Sequence, residues 1–408
     1  MKNLCYYFTI SVIIFYSSLN AQWIQTDGPY IGDVCTFANS GTNLFAGTTD
    51  FFVDSGGVFL STNNGTNWNA TGFQNAIVSA LAINGTNLFA GTPNGIFLST
   101  NNGTSWTDLN ILLGDTRAFA ISGTNLFAGT NGSGVFRSTN NGTSWTAVNN
   151  GLTNYVVIAF AVSGTNIFAG TYSSGVFLST NDGSNWTEAN SGLMGNHIPS
   201  LTFYDINVFA GSNDGVFLST NNGSNWTAAG LQDTLVSALT VFGPNLFAGT
   251  SDILGNSGSV FLSTNNGINW TDVNSGLPNT GVLALTISGT NLFAGTAGSG
   301  VWRRPLSEMI TGVEDHNSDI PYQFILSQNY PSPFNPSTKI KYSVPQSATV
   351  TIKVFDILGN EIETLVNEEK TTGTYEITWY AVNLPSGIYF YKLQAGSFVE
   401  TKKTILLK

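Results

Sequence analysis

Residues 87–106 read NLFAGTPNGIFLSTNNGTSW, and the chain is organised around repetitions of this stretch. A short apolar strand, NLFAGT, leads through a glycine-containing turn to a second strand, GIFLST. An asparagine turn ending in tryptophan follows. The first half recurs at Asn43, Asn87, Asn125, Asn166, Asn207, Asn245 and Asn291, at spacings of 44, 38, 41, 41, 38 and 46 residues. A period near forty residues with about four strand-like runs in each is the pattern of an all-β propeller, one blade per repeat. In the second repeat the runs are Ile77–Ile83, Asn87–Gly91, Ile96–Ser99 and Ser105–Leu109. Within the first of them Val78, Ala80 and Ala82 alternate with Ser79, Leu81 and Ile83, the two-residue period of a strand. Ala and Gly at the end of NLFAGT leave room for a neighbouring sheet to approach. The turns NNGT and SGTN tolerate the positive φ that tight hairpins require.

The seventh repeat departs from the others. After Gly300-Val301 it reads WRRPLSEM, with no asparagine turn and no final tryptophan strand. The missing strand lies at the other end of the chain, where Gln22-Trp23-Ile24-Gln25 resembles the runs SWTAVN and NWTEAN. Trp23 thereby joins Trp68, Trp106, Trp145, Trp186, Trp226 and Trp270, a set read as core packing. The N-terminal strand is expected to complete the last blade and close the ring, which removes the exposed edges of an open array. Residues 22–304 are thus expected to form a seven-bladed β-propeller.

Composition bounds the function. Only 9% of the 408 residues are charged, against roughly 25% in ordinary globular proteins. The polar surface is built from Asn, Thr, Ser and Gly, which suits a turn-rich protein outside the cytosol. A net charge of −11 argues against nucleic acid, whose binding rests on neutralising phosphates. Lysine is absent between Lys2 and Lys339, so Arg117, Arg137, Arg303 and Arg304 are the strong cations of that span. The chain begins Met1-Lys2-Asn3, continues through an apolar run from Leu4 to Leu19, and reaches the small residue Ala21. That pattern predicts a secretory signal peptide over 1–21, cleaved after Ala21; the run is short of the about 20 residues of a bilayer span. Cys5 falls inside the signal, too early for a lipoprotein cysteine. Cys35 is then the sole thiol of the mature chain and reads as a small buried hydrophobe.

The hairpins STNNGTNW (Ser61–Trp68) and STNDGSNW (Ser179–Trp186) and their relatives resemble the Asp-box, or BNR, repeat. That motif reads Ser-x-Asp-x-Gly-x-x-Trp and occurs in sialidases and in many non-enzymatic propellers. Here the third position is Asn63, Asn101, Asn140, Asn181, Asn221 and Asn265, and asparagine caps the same turn through its side-chain carbonyl. The resemblance implies the fold. It implies little about function, because the box in that family is structural and lies away from the catalytic face.

Residues 305–320, PLSEMITGVEDHNSDI, are acidic and non-repetitive and read as a linker. Residues 321–408 change character, with eight lysines against seven acids and strand-like runs such as TVTIKVFDI, YEITWYAV and GIYFYKLQAG. They are expected to form a small β-sandwich. The stretch Asn329–Pro336, NYPSPFNP, closely resembles the NYPNPFNP opening of type A C-terminal sorting domains of the type IX (Por) secretion system. The match continues through Val354–Gly359, Leu384–Leu393 and Lys402–Lys408. The resemblance implies a Bacteroidetes-type bacterium, export by the type IX secretion machinery to the cell surface or medium, and removal of this domain after delivery. It casts Tyr330, Pro331, Pro333, Phe334, Asn335, Pro336, Asp356, Gly359, Gly387, Tyr389 and Lys408 as the sorting signal.

Chemistry in a propeller sits where the loops vary, on a rigid scaffold. The longest variable loops are Thr49–Gly57 (TDFFVDSGG) and Ser251–Ser259 (SDILGNSGS), in blades one and six. Both flank blade seven in a closed ring, so they are placed to form one wall of a site. Phe51, Phe52 and Tyr172 are the candidate binding residues, with His197 on the same face; the competing reading has these loops pack on their own blades. A sialidase needs three arginines, a tyrosine nucleophile and acidic partners, and only Arg117 falls in a variable loop. No Gly-x-Ser-x-Gly, His-Glu-x-x-His or Cys-x-x-Cys occurs, which removes the common hydrolase and redox signatures. Asp50, Asp54 and Asp252 lack the ordered series of a calcium loop. The expectation is a monomeric, cofactor-free, non-enzymatic propeller that binds a glycan or a protein. A glycoside hydrolase or lyase with an unrecognised site, and a structural envelope component, are the alternatives.

Overall fold

The computed structural model describes residues 22–310 and 324–407, apart from Ile31, residues 51–54 and 110–113, Asn383 and Ser397. The expected signal peptide lies outside the described residues. Seven four-stranded antiparallel sheets, each built round one NLFAGT copy, are present among the described residues and are numbered here after that copy. Sheet 1 comprises Asp33–Ser40, Asn43–Asp50, Ser55–Ser61 and Asn69–Gln74. Sheet 7 takes Val282–Ser288, Asn291–Thr296 and Gly300–Pro305 from one end of the repeats and Ile24–Gln25 from the other. Ile24 pairs with Arg303 and Gln25 with Trp302. The first strand of each sheet contacts that of the next, and sheet 7 contacts sheet 1, which makes a propeller-like arrangement.

The glycine of NLFAGT is what lets neighbouring sheets meet. A Cβ on Gly129 would stand 2.8 Å from Val157 Cγ1, and one on Gly295 would stand 2.6 Å from the Val34 carbonyl oxygen. The same contact therefore joins sheets 3 and 4 and closes sheet 7 onto sheet 1. The phenylalanine of the motif fills the gap beside it, and Phe45, Phe89, Phe127, Phe168, Phe209, Phe247 and Phe293 are all buried. Burying each ring contributes roughly 1.5–3 kcal/mol, so the repeated motif gives every sheet-to-sheet junction a similar apolar contact.

The asparagine hairpins are fixed by one bonding pattern. In sheet 2 the Ser99 hydroxyl donates to Asn101 Oδ1 (2.9 Å) and accepts from the Gly103 N–H (2.8 Å), while the Ser105 N–H donates to Asn101 Oδ1 (3.0 Å). The pattern recurs around Asn63, Asn140, Asn181, Asn221 and Asn265. The next residue takes positive φ, 54° at Asn102, a region Asn and Asp enter more easily than other side chains. Asn101 Oδ1 accepts the bonds from the Ser99 hydroxyl and the Ser105 N–H, and Nδ2 donates to Ser105 Oγ at 2.9 Å, a bond that a carboxylate replaces by accepting from the Ser105 hydroxyl. Asn101→Ala should therefore cost about 1–2 kcal/mol, the loss of three modest, partly exposed hydrogen bonds, and Asn101→Asp should unfold at the parental denaturant midpoint. Equal midpoints for all three chains would show that the turn is held by its backbone.

Five of the seven tryptophans tie a sheet to the one before it, whereas Trp106 and Trp145 donate to Gly103 O and Gly142 O within their own hairpins. Trp186 Nε1 donates to Val148 O, Trp226 Nε1 to Ala189 O and Trp270 Nε1 to Ala229 O, at 2.7, 2.7 and 2.8 Å. Trp23 Nε1 donates to Val273 O at 2.7 Å in the same way. On the other side of the junction Trp68 Nε1 donates to Thr26 Oγ1. The single Thr26 hydroxyl proton lies between the Gly28 and Val301 carbonyls, 2.7 and 2.9 Å from Oγ1.

The first residues of the stretch expected as a linker, 305–310, are folded. The strand of sheet 7 runs to Pro305, a 3-10 turn follows at Leu306–Glu308, and Leu306, Met309 and Ile310 are buried against Trp23 and Val273. These apolar side chains sit in an acidic, polar segment, so composition hid their packing. Beyond residues 311–323, which lie outside the described set, a three-stranded sheet forms from Ile325–Leu326, Ser337–Val344 and Gly373–Tyr380. A four-stranded sheet runs in the order Glu361–Lys370, Ala348–Phe355, Gly387–Ala395 and Phe398–Leu406. Both contribute to one core containing Ile340, Tyr342, Val350, Ile352, Trp379 and Tyr391.

Candidate functional site

The variable loops and the connections between sheets meet at one rim. Their junctions repeat: the first loop residue donates its N–H to the carbonyl of the residue entering the first strand. Asn131 bonds Asp115 in this way, Tyr172 bonds Val156, Asn213 bonds His197 and Ser251 bonds Leu235. Tyr172 and His197, from adjacent sheets, therefore come together at equivalent rim positions. Their rings meet edge to face with centroids 4.7 Å apart, and His197 Nδ1 lies 3.3 Å from Tyr172 O. Tyr172 is 58% exposed, Tyr155 48% and Met194 60%, so sheets 3 to 5 present a partly apolar arc. Phe51 and Phe52 lie outside the described residues.

Burial holds the His197 imidazole below its ordinary value. The folded chain takes up that proton at lower pH than the unfolded chain, so stability falls as pH drops below about 6.5. Substituting His197→Asn should flatten the decline in melting temperature between about pH 7 and 5. A decline of unchanged slope would assign it to other groups.

Between sheets 5 and 6 the rim opens into a cleft of about 570 Å³ lined by Asn213, Asp233, Leu235, Asp252, Ile253 and Phe261. The loop Ser251–Ser259 is preformed by its own aspartate. Asp252 Oδ1 accepts the N–H groups of Leu254 and Asn256, both at 2.9 Å, and Oδ2 accepts the Ser257 hydroxyl. Desolvation is the largest single influence on the pKa and raises it, but the hydrogen bonds together outweigh it and hold the carboxyl below its usual range. The turn lifts Ile253 and Leu254 into solvent, 92% and 78% exposed. Neither side chain stood out in the sequence, since their exposure follows from the turn.

Arg117 is not in a variable loop. It is the extra residue of a β-bulge between Thr116 and Ala118, on the innermost strand of sheet 3. Cys35, Ile158, Ser237 and Leu283 occupy the same bulge in other sheets. Bulges re-aim a side chain, and here Arg117 turns onto Asp115, with Nε to Oδ2 at 2.7 Å. The other arginines serve elsewhere. Arg137 bonds Asp182 O, Arg303 bonds Asn64 O, and Arg304 bonds Val273 O. Each clips one sheet to its neighbour, so the four do not converge on a common anion. Cys35 is only partly buried by surface area, yet desolvation and the nearby Asp33 push its thiol up to about 12. A protonated thiol is a poor nucleophile.

In the C-terminal domain the expected sorting residues divide into two groups. Phe334 is buried, with its ring 5.2 Å from that of Trp379. Its N–H donates to Ile405 O and its carbonyl accepts from the Leu407 N–H, at 3.0 and 2.9 Å, which ties the motif to the end of the last strand. Tyr389 is buried and donates to Pro385 O, and Gly387 pairs with Leu406. The Asn360 side-chain amide and neighbouring N–H groups hold the Asp356 carboxyl below its usual range, and they fix a turn that Gly359 enters at φ 84°. Tyr330, Pro331, Pro333, Asn335 and Pro336 surround Phe334 and are exposed. Lys408 lies outside the described residues.

Residues 328–407 match the family described as secretion system C-terminal sorting domain, and residues 156–293 match the DUF6242 beta propeller domain. Among solved structures the chain is similar to PorZ, described as an essential bacterial surface component of the type-IX secretion system of Porphyromonas gingivalis. The TM-score is 0.54 at 16% identity, over 94% of this chain and 61% of that one. It is also similar to the extracellular domain of the putative hybrid two component system BT4673 from B. thetaiotaomicron, with TM-score 0.59 at 17% identity over 79% and 46% of the two chains. YCF48 bound to D1 peptide gives TM-score 0.56 at 14% identity over 70% and 97%. The chain thus spans less than two thirds of the length of the first two structures. No curated protein matches it. The chain is an all-β, propeller-like protein carrying a type IX sorting tail, which points to a secreted, cell-surface destination.

Proposed function

We propose that this chain is a secreted or surface-held seven-bladed propeller that binds a protein or glycan at its variable rim and performs no catalysis. The observation that carries the reading is the rim itself: Tyr155, Tyr172 and Met194 stand exposed on sheets whose cores are closed. Exposed aromatics on a rigid scaffold favour recognition. YCF48, of similar fold, is described as bound to a peptide, which favours a protein ligand over a glycan. Phe51, Phe52 and Tyr172 are the proposed contacts. The Asn hairpins are proposed as variants of the Asp-box, supported by their shared serine–asparagine bonding. The proposed divisions are a signal peptide over 1–21, a propeller from Gln22 to Ile310 and a sorting domain over the last ninety or so residues. The mature chain is proposed to act as a monomer.

A glycan array and a peptide array probed with the mature propeller test the binding reading. Ligands should be retained by the parent and lost from Tyr172→Ala; an array hit indifferent to Tyr172 would move the site elsewhere. The scattered arginines predict no sialidase activity. Turnover of a fluorogenic sialoside that disappears in Arg117→Ala would overturn the non-enzymatic reading.

A further inference from the structure

The outer face of the four-stranded sheet in the C-terminal domain is not a plain polar surface. Register sets which side chains share it. Phe355 pairs with Phe390 and Phe390 with Lys403, while Lys353 pairs with Lys392 and Lys392 with Thr401. Directly opposed residues point to the same side of a sheet. Val354 and Tyr391 alternate with these residues and are buried in the core, so Phe355, Phe390, Lys392 and Lys403 face away from it. Fold stability explains the inward set and gives no reason for two aromatic rings on the outward one.

These rings form the floor of a cleft of about 280 Å³, with Ile357 and Lys392 in its walls. The turn fixed by Asp356 holds Ile357 at its wall, 69% exposed, with Leu358 following at 81% exposure. Ile388 continues the apolar strip along the next strand, at 42% exposure. Lys392 Nζ lies 5.1 Å from the Phe355 ring centroid, so the cation is positioned by the aromatic floor. Lys353 is paired with Glu361 at 2.8 Å, and Lys403 is exposed on the far side of Phe390. The result is an apolar slot with Lys392 in its lining and Lys403 beside it; Asp356 also lines it, with its carboxylate engaged by the Leu358 and Asn360 N–H groups and the Asn360 side-chain amide. The stretches Val354–Gly359, Leu384–Leu393 and Lys402–Lys408, which carry the sorting-domain resemblance, all contribute to this face.

The geometry points to this slot as the docking surface for an acidic segment of the secretion machinery that carries an apolar anchor side chain. The apolar floor takes the anchor, and Lys392 and Lys403 take the carboxylates, since Lys353 is paired with Glu361 and the Asp356 carboxylate is held in its own turn. The inference rests on the reading of the domain as an export signal, and the test separates the two.

Full-length chains carrying Lys392→Glu, Phe390→Ser or Ile357→Asp would be expressed in a bacterium with a working type IX system and fractionated. Surface and medium signal of the propeller should fall at least about tenfold, with matching periplasmic accumulation, as expected for reversing a charge or apolar anchor at an interface. Ile357 stands largely in solvent, so Ile357→Asp should keep the parental melting curve even if Phe390→Ser does not. Lys341→Glu, on the other sheet, should be exported like the parent. Parental export of both Lys392→Glu and Ile357→Asp would overturn the proposal, as would an equal loss in Lys341→Glu, which would reveal a net-charge effect. Trp379→Ala, in the core, separates the readings: if it too is exported normally, the sorting assignment itself fails. The occupant is tested by titrating purified full-length protein with a Leu-Glu alternating hexapeptide, its Leu-Lys counterpart and phosphatidylglycerol vesicles. Binding of the acidic peptide alone, lost in Lys392→Glu, supports the proposal. Binding of the vesicles or the basic peptide in its place overturns it.

Discussion

Replacing Trp23 by alanine should lower the stability of the propeller by about 3–5 kcal/mol, the usual loss for a fully buried large ring. Trp23 is 2% exposed and packs among Val273, Leu292 and Ile310, with its indole N–H on the Val273 carbonyl. Neither the packing nor that bond has a substitute, because the next residues toward the C-terminus, Ile24 and Gln25, are spent on pairing with Arg303 and Trp302. Deleting Gln22–Gln25 should act more strongly. It exposes the edge of Gly300–Pro305 and leaves sheet 7 with three strands, an open edge of the kind that invites association. The alanine variant should melt early but cooperatively, and the deletion should melt earlier still and aggregate. Melting curves that superimpose on the parent's would mean that this strand does not hold the ring shut. The strand starts at the proposed cleavage site, so trimming even a few residues beyond Ala21 should have the same effect.

The second large effect concerns the other end of the chain. Removing Lys402–Lys408 should leave the propeller folded but trapped in the periplasm. The deletion takes away most of the pairing between Phe398–Leu406 and Gly387–Ala395, from Tyr391–Lys402 to Gly387–Leu406. It also removes the fully buried Leu406 and the two backbone bonds that hold Phe334. Phe334, Trp379 and Tyr389 form one aromatic cluster, so the damage reaches the centre of the domain core. A sorting domain read by its shape fails when that core fails. In the parent the surface form should be shorter by about 10 kDa, the mass of a domain of roughly ninety residues. Equal surface signal from the truncated and full-length chains would show that the tail does not direct export.

The ring and its joins were legible in the sequence because each depends on local chemistry. Gly295 and Val34 meet where NLFAGT ends and the first strand begins, and Asn101 caps its hairpin through atoms within four residues. Trp23 could be matched to Trp186 and Trp226 by its flanking residues alone, and it makes their bond. The rim was less legible. Tyr172 was read as a loop aromatic, but its partner His197 lies 25 residues away on the next sheet. Arg117 looked like a loop cation because a one-residue bulge is invisible in an alternating pattern, and the bulge decides which way it points. Leu306, Met309 and Ile310 were lost in a polar segment because burial there depends on Trp23, nearly three hundred positions away. In the tail the motif residues were recognisable, but their division into core and surface needed the register of four strands.

The most direct test of a propeller delivered to the surface by its tail is protease accessibility on intact cells. The full-length chain would be expressed in a strain with a working type IX system and in an otherwise identical strain lacking the translocon, and both would be treated with proteinase K. The account predicts a propeller that is digested, or found in the medium, only in the first strain, and a full-length, protected chain in the second. Equal accessibility in both strains would contradict it.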